Sequence, residues 1–172
     1  MATVKKASSR RAESLEMNEP LEHYIGKGAS VNSMTWRILG GKEFMPKAPA
    51  SSYDLVLASS KGISKQAVLN LADVMDIPMK DMAGLLNLSY KTLGRKRRTD
   101  LLDSLVSSLS IEIAGTIANG LSVFEDSNKL KRWLQKENRA LSGRKPIELL
   151  NTPTGINMVN RVLGRIEEGV YT

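Results

Sequence analysis

The sequence predicts an all-α protein, with helical units on either side of one long helix and a flexible N-terminal region with little regular structure over residues 1–50. Three observations predict it. Apolar residues recur at steps of three and four from about residue 50 onward, and no run of period two competes. Ser64, Ser89 and Thr152 stand where N-caps are needed, and Gly62 and Gly169 where helices must stop. Leu101 to Phe124 reads as one helix well beyond the usual length, a spine joining two halves.

Taken in order, residues 1–20 read as a tail of mixed charge. From 21 to 50, Gly26, Gly28, Gly40, Gly41, Pro46 and Pro49 break the chain around one apolar patch, Met34, Trp36, Ile38 and Leu39, with room for one short helix or strand. Tyr53 to Ser60 is the first regular helix, ended at Gly62. The second starts after Ser64 and carries Ala67, Val68, Leu71, Ala72 and Met75 at helical spacing. Pro78 opens a third, with Met79, Met82, Ala83 and Leu86 on one face, and a fourth begins near Tyr90 after the break Asn87-Leu88-Ser89. Along the long helix Leu102, Leu105, Val106, Leu109, Ile113, Ile117, Leu121 and Phe124 form a continuous apolar face. Leu130, Trp133 and Leu134 mark another helix, with Trp133 read as core. Gly143 and Pro146 introduce a short one through Leu149 and Leu150. Thr152-Pro153 is an N-cap followed by an N1 proline for the last helix, where Ile156, Val159, Leu163, Ile166 and Val170 share a stripe. The chain thus divides into residues 1–50, 51–110 and 111–172.

Composition excludes several classes. With 41% hydrophobic and 25% charged residues in 172, a packed core forms and wholesale disorder is ruled out. No uncharged apolar run approaches the roughly eighteen residues a membrane span needs; Ile111 to Phe124 is shorter and contains Glu112. The basic start (Lys5, Lys6, Arg10, Arg11) lacks the apolar core of a secretory signal, and Glu13, Glu16 and Glu19 argue against a transit peptide, so a cytoplasmic location is expected. Cysteine is absent, which removes thiol catalysis and thiolate metal sites. His23 is the single histidine, so a Ser-His-Asp triad would have to use it and a two-histidine zinc motif cannot be written. Asp73/Asp76 and Glu167/Glu168 read as solvated helix charges rather than paired acids. The expectation is a binding protein, not an enzyme, with no cofactor and no metal.

The net charge of +7 is concentrated. Residues 78–99 hold Lys80, Lys91, Arg95, Lys96, Arg97 and Arg98 against Asp81 alone, whereas residues 100–172 are balanced. Such a local field suits a polyanion, since each neutralised phosphate releases counterions. As charge alone, it suits a solvated face or a localisation signal equally well. The surrounding residues favour DNA. A helix-turn-helix needs a small residue in its first helix, a left-handed residue in the turn, and apolar anchors on both sides. Met82-Ala83 supplies the close crossing, Asn87 the left-handed site, Leu86, Leu88 and Leu93 the anchors, and Ser89 the cap. With Leu93 packed inward, Ser89, Tyr90, Lys91, Arg95 and Arg98 are expected at the major groove, and Thr92, Lys96 and Arg97 at phosphates. Gly94, inside this helix, has no evident packing reason.

Beyond the long helix the chain resembles a known family. Phe124-Glu125-Asp126, Trp133-Leu134, Asn138, Leu141, Gly143, Pro146-Ile147-Glu148-Leu149-Leu150, Gly155 and the ending Val162-Leu163-Gly164-Arg165-Ile166-Glu167-Glu168-Gly169-Val170-Tyr171 resemble the toxin-binding domain of the Xre/MbcA/ParS antitoxins. The segment Thr99 to Ile111 departs from the more arginine-rich string of many relatives. The resemblance implies an Xre-like helix-turn-helix domain followed by a small helical toxin-binding domain. It also implies a homodimer that represses its own operon at operator DNA and blocks a RES-domain toxin that degrades NAD. In that group the C-terminal end enters the toxin's cleft, and the matching positions here are Gly169, Val170, Tyr171 and Thr172. Arg144, Lys145 and Arg165 are expected nearer the toxin than Trp133. From the residues alone, a short tail with an aromatic ring and a carboxylate fits either a plug or a frayed terminus. The alternative for the whole chain is a stand-alone dimeric helix-turn-helix regulator with no toxin partner.

Overall fold

A computed structural model describes residues 29–170. The tail expected over residues 1–20, and Tyr171 and Thr172, lie outside the described residues. Among these residues, helix α1 (Val31–Ile38) and a 3-10 turn (Gly41–Glu43) come first. They are followed by α2 (Ser52–Lys61), α3 (Lys65–Met75), α4 (Met79–Leu85), α5 (Tyr90–Arg95) and α6 (Ser104–Phe124). Helix α7 (Ser127–Gln135), two 3-10 turns (Arg139–Leu141 and Pro146–Leu149) and α8 (Pro153–Glu167) follow to the end of the described residues. The described residues form no strand, only the isolated bridge between Ser64 and Leu101. No described helix is long and apolar enough to cross a membrane.

Local chemistry fixes the helix starts. Side-chain oxygens of Ser64, Ser89, Asp103, Asp126 and Thr152 accept from the backbone N–H three residues on, satisfying donors that the first turn leaves without partners. Asp54 does this in reverse, its carboxylate accepting from the N–H groups of Ala50 and Ser51. Helix ends are closed by left-handed residues. At Asn87 (φ 56°) the N–H of Leu88 reaches the Ala83 carbonyl at 2.9 Å while that of Asn87 reaches Gly84 at 3.1 Å. At Gly169 (φ 72°) Val170 and Gly169 donate in the same way to Arg165 and Ile166.

Helix α6 is the spine. Helices α1, α2, α3, α7 and α8 all pack on it. Its Ile113, Ala114, Ile117, Ala118 and Leu121 are buried almost completely, each large side chain stabilising the fold by about 1.5–3 kcal/mol. Gly120 allows α7 to sit close, since a Cβ there would lie 2.5 Å from Leu130 Cδ1. Polar residues also enter this core. Ser110 and Thr116 return their hydroxyls to the carbonyls of Val106 and Glu112. Ser107, fully buried, accepts from Ile63 N at 2.9 Å and donates to the Leu102 carbonyl at 3.2 Å, tying the α2–α3 link to the spine.

Three expectations need correction. Residues 29–50 are not a loose region: α1 packs on the spine with Met34, Thr35 and Ile38 buried, while Trp36 is buried over the turn that follows, beside Gly41, and donates to the Met45 carbonyl at 2.9 Å. Glycines and prolines flank these residues without interrupting them. The spine begins at Ser104 rather than Leu101, because Asp103 caps it and Leu102 pairs with Ile63 as extended backbone. Leu105 does not join the apolar face; it is 82% exposed, whereas Leu102 and Val106 close to it in sequence are buried.

Candidate functional site

Helices α4 and α5 form the expected helix-turn-helix. Met82, Ala83, Leu86 and Leu93 are buried, Leu88 is half-buried, and Asn87 makes the turn. The Asn87 amide also donates to the Asn151 carbonyl at 3.0 Å, linking this turn to the loop before α8. At about 100° per residue, Tyr90, Gly94, Lys91 and Arg95 share one face of α5, opposite Leu93. All four are exposed. Among the described residues, the side chains of Tyr90, Lys91 and Arg95 have no hydrogen-bonding or ionic partner. A Cβ on Gly94 would meet nothing within 4 Å, so no packing within the chain demands glycine there.

The other sequence-predicted DNA residues are occupied. Ser89 Oγ accepts from Thr92 N at 3.0 Å and lies 2.7 Å from Thr92 Oγ1. Helix α5 stops at Arg95, so Lys96, Arg97 and Arg98 follow it as a turn. Lys65 Nζ donates to the carbonyls of Lys96 at 2.7 Å and Gly94 at 3.5 Å, placing a cation on the carbonyl end of α5. Lys96 reaches the Leu101 carbonyl at 3.3 Å. Arg97 Nε pairs with Asp100 at 3.0 Å. The Arg97 backbone N–H, and then its guanidinium, hold the Asp100 carboxyl below its ordinary value. Arg98, expected beside Arg95, turns away to Gln66 Oε1 at 3.0 Å. Lys65 and Gln66, which brace this exit, were missed; both sit in the first turn of α3, where only caps and apolar spacing had been read.

In the second half, Arg144 is exposed and its carbonyl accepts from Asn138 N at 3.0 Å. Lys145 is half-buried, preceding the 3-10 turn at Pro146, and Arg165 is exposed on α8. Gly169 closes that helix and Val170 is 50% exposed. Trp133, expected in the core, is only half-buried and stacks at a tilt on Phe124, centroids 5.6 Å apart. Among the described residues, no group of three or more His, Asp or Glu side chains converges to hold a metal.

Comparison with known proteins accounts for both halves. Residues 54–115 match the model of the antitoxin Xre-like helix-turn-helix domain. Residues 120–169 match that of the antitoxin Xre/MbcA/ParS C-terminal toxin-binding domain. The chain is an antitoxin of the Xre/MbcA/ParS family. This antitoxin is also 26% identical over 132 residues to the Prs ADP-ribosylating antitoxin of Sphingobium sp. (strain YBL2), a match covering 71% of this chain and 83% of that one. The α4–α5 pair falls inside the first matched region. Trp133, Arg144, Lys145, Arg165 and Gly169 of the antitoxin fall inside the second.

Proposed function

We propose that the antitoxin acts in the cytoplasm as a homodimer that represses its own operon and neutralises a RES-domain toxin consuming NAD. The observation that carries this is the unpaired face of α5 (Tyr90, Lys91, Gly94, Arg95) on an antitoxin helix-turn-helix, in the chain that also carries the toxin-binding module. One six-residue helix makes few base contacts. Two, set about 34–36 Å apart by a dimer, reach operator-level specificity. Arg95 reads a guanine edge, Lys91 and Tyr90 contact the neighbouring groove, and Thr92, Lys96, Arg97 and Arg98 face phosphates. Ser89 serves as the cap that aims the helix.

On the other side, Arg144, Lys145 and Arg165 face the toxin, and the left-handed turn at Gly169 releases Val170, Tyr171 and Thr172 as a plug for its cleft. Inhibition is by occlusion, with no chemical step assigned to this chain. NAD as the toxin's substrate draws support from the Sphingobium relative, whose name carries ADP-ribosylation; ADP-ribosyl groups come from NAD.

Two measurements test these halves. Binding of the purified chain to its own upstream duplex should fall by orders of magnitude between about 50 and 200 mM salt. Arg95→Ala should weaken it by a further 1–3 kcal/mol or so. Salt-independent binding overturns the DNA assignment. Expressing the product of the adjacent reading frame should deplete cellular NAD, and co-expressing this chain should restore it; growth arrest with undiminished NAD overturns the NAD assignment.

A further inference from the structure

The half-buried rings of Phe124 and Trp133 are not merely loose core. They floor an open groove of about 300 Å³ between the end of α6, α7 and the last turns of α8. Neighbouring apolar side chains on these helices (Leu130, Leu134, Leu163) are closed off almost completely, whereas the two rings and Ile166 beside them are only partly buried and Val170 at the same groove is half exposed. Partly wet aromatic surface of this kind is what binding hot spots are made from. The rim is cationic: Lys136, Arg139 and Arg165 line it, against Glu137 alone. Among the described residues none of these three cations has an ion-pair partner. The groove is also continuous with the tail, since Val170 forms part of its wall before the chain runs on to Tyr171 and Thr172.

We propose that this groove is a second toxin-docking site, which receives an acidic segment of the toxin anchored by one apolar side chain and lying at the rim of the cleft the tail enters. It rests on the toxin-binding role above and adds the chemistry of the partner: the anchor covers Phe124 and Trp133 while its carboxylates meet Lys136, Arg139 and Arg165. Burying the rings supplies affinity, and the cationic rim supplies orientation and on-rate.

The chain has two tryptophans, which makes the groove directly visible. Trp36 is 8% exposed and bonded to Met45, whereas Trp133 faces the groove. In the full chain labelled with 5-fluorotryptophan, the ¹⁹F resonance of Trp133 should shift on adding the unlabelled product of the adjacent reading frame, and that of Trp36 should stay. Trp36→Phe assigns the two signals. The paired variant Lys136→Glu with Arg139→Glu should lose at least about tenfold in affinity and most of its salt dependence, at an unchanged melting temperature. A chain ending at Val170 should keep the Trp133 shift. A complex that forms with Trp133 unmoved and affinity unaltered by the charge reversals overturns the groove and leaves toxin binding intact. A shift that disappears with the tail overturns it too. If the unaltered chain forms no complex at all, the toxin-binding role fails first and the groove with it.

Discussion

Gly94 separates what the fold wants from what the reading face wants. It is the fifth residue of a six-residue helix, has ordinary helical backbone and has open space where a Cβ would go. Glycine in a helix interior costs about 1 kcal/mol relative to alanine, less near an end, largely because the unfolded chain is freer. Gly94→Ala should therefore stabilise the protein by roughly 0.5–1 kcal/mol, raising the melting temperature by about 1–4 °C for a chain of this size. The new methyl would project between Tyr90 and Lys91, on the side assigned to the major groove, and should weaken operator binding severalfold. Thermal unfolding and fluorescence anisotropy with the upstream duplex read the two effects on one sample. Gly164→Ala, also in a helix and with nothing within 4 Å of its added carbon, is the control: the same stabilisation with unchanged DNA affinity. If Gly94→Ala binds the duplex as tightly as the parent, the face opposite Leu93 is not the one that meets DNA.

Other substitutions probe the rest of the molecule. Ser107→Ala strands the buried N–H of Ile63 and removes a donor from the Leu102 carbonyl; a loss of about 1–3 kcal/mol in denaturant unfolding is expected, and a change under about 0.5 kcal/mol would show that water or a local shift replaces the hydroxyl. Asp126 is held below its ordinary value first by the Lys129 N–H it caps. Its contribution is thus complete above the unfolded aspartate range and lost as pH falls through the lower folded value. Unfolding between about pH 5 and 2 should show a smaller acid loss in Asp126→Asn, and identical curves would contradict it. Leu105→Glu, at the most exposed large apolar residue among those described, should convert the proposed dimer to monomers in sedimentation without lowering monomer stability; an unchanged dimer places the self-association elsewhere.

Much of the fold was legible because it is written in short-range chemistry. Ser64, Ser89, Thr152-Pro153, Asn87 and Gly169 each act on backbone groups within a few residues, so their spacing suffices to place helix ends. The helix-turn-helix was readable for the same reason, its template being a handful of contacts between adjacent helices. What escaped depends on distant partners. Helix α1 is eight residues long and owes its place to burial of Met34 and Ile38 against a spine some eighty residues away; the Ser30 cap followed by Met34 and Ile38 one turn apart was the available signal. Leu105 has the right spacing for the apolar face, but at a helix end spacing does not decide whether anything lies opposite. Arg98 looks like one more cation in a run, yet the helix stops at Arg95 and Gln66, 32 positions earlier, sets its direction. Trp133 shows the same limit: helical periodicity places it on the apolar side, and only the approach of α8 reveals that the side stays open.

Growth rescue tests most directly whether one polypeptide serves two clients. The adjacent reading frame, expressed alone from an inducible promoter, should halt growth, and co-expression of this chain should restore it. A chain lacking Val170 to Thr172 should restore it poorly while still binding the upstream duplex at full affinity. Growth that never halts, or that halts and is not restored by the intact chain, would contradict the pairing of a DNA reader with a toxin-binding module in this molecule.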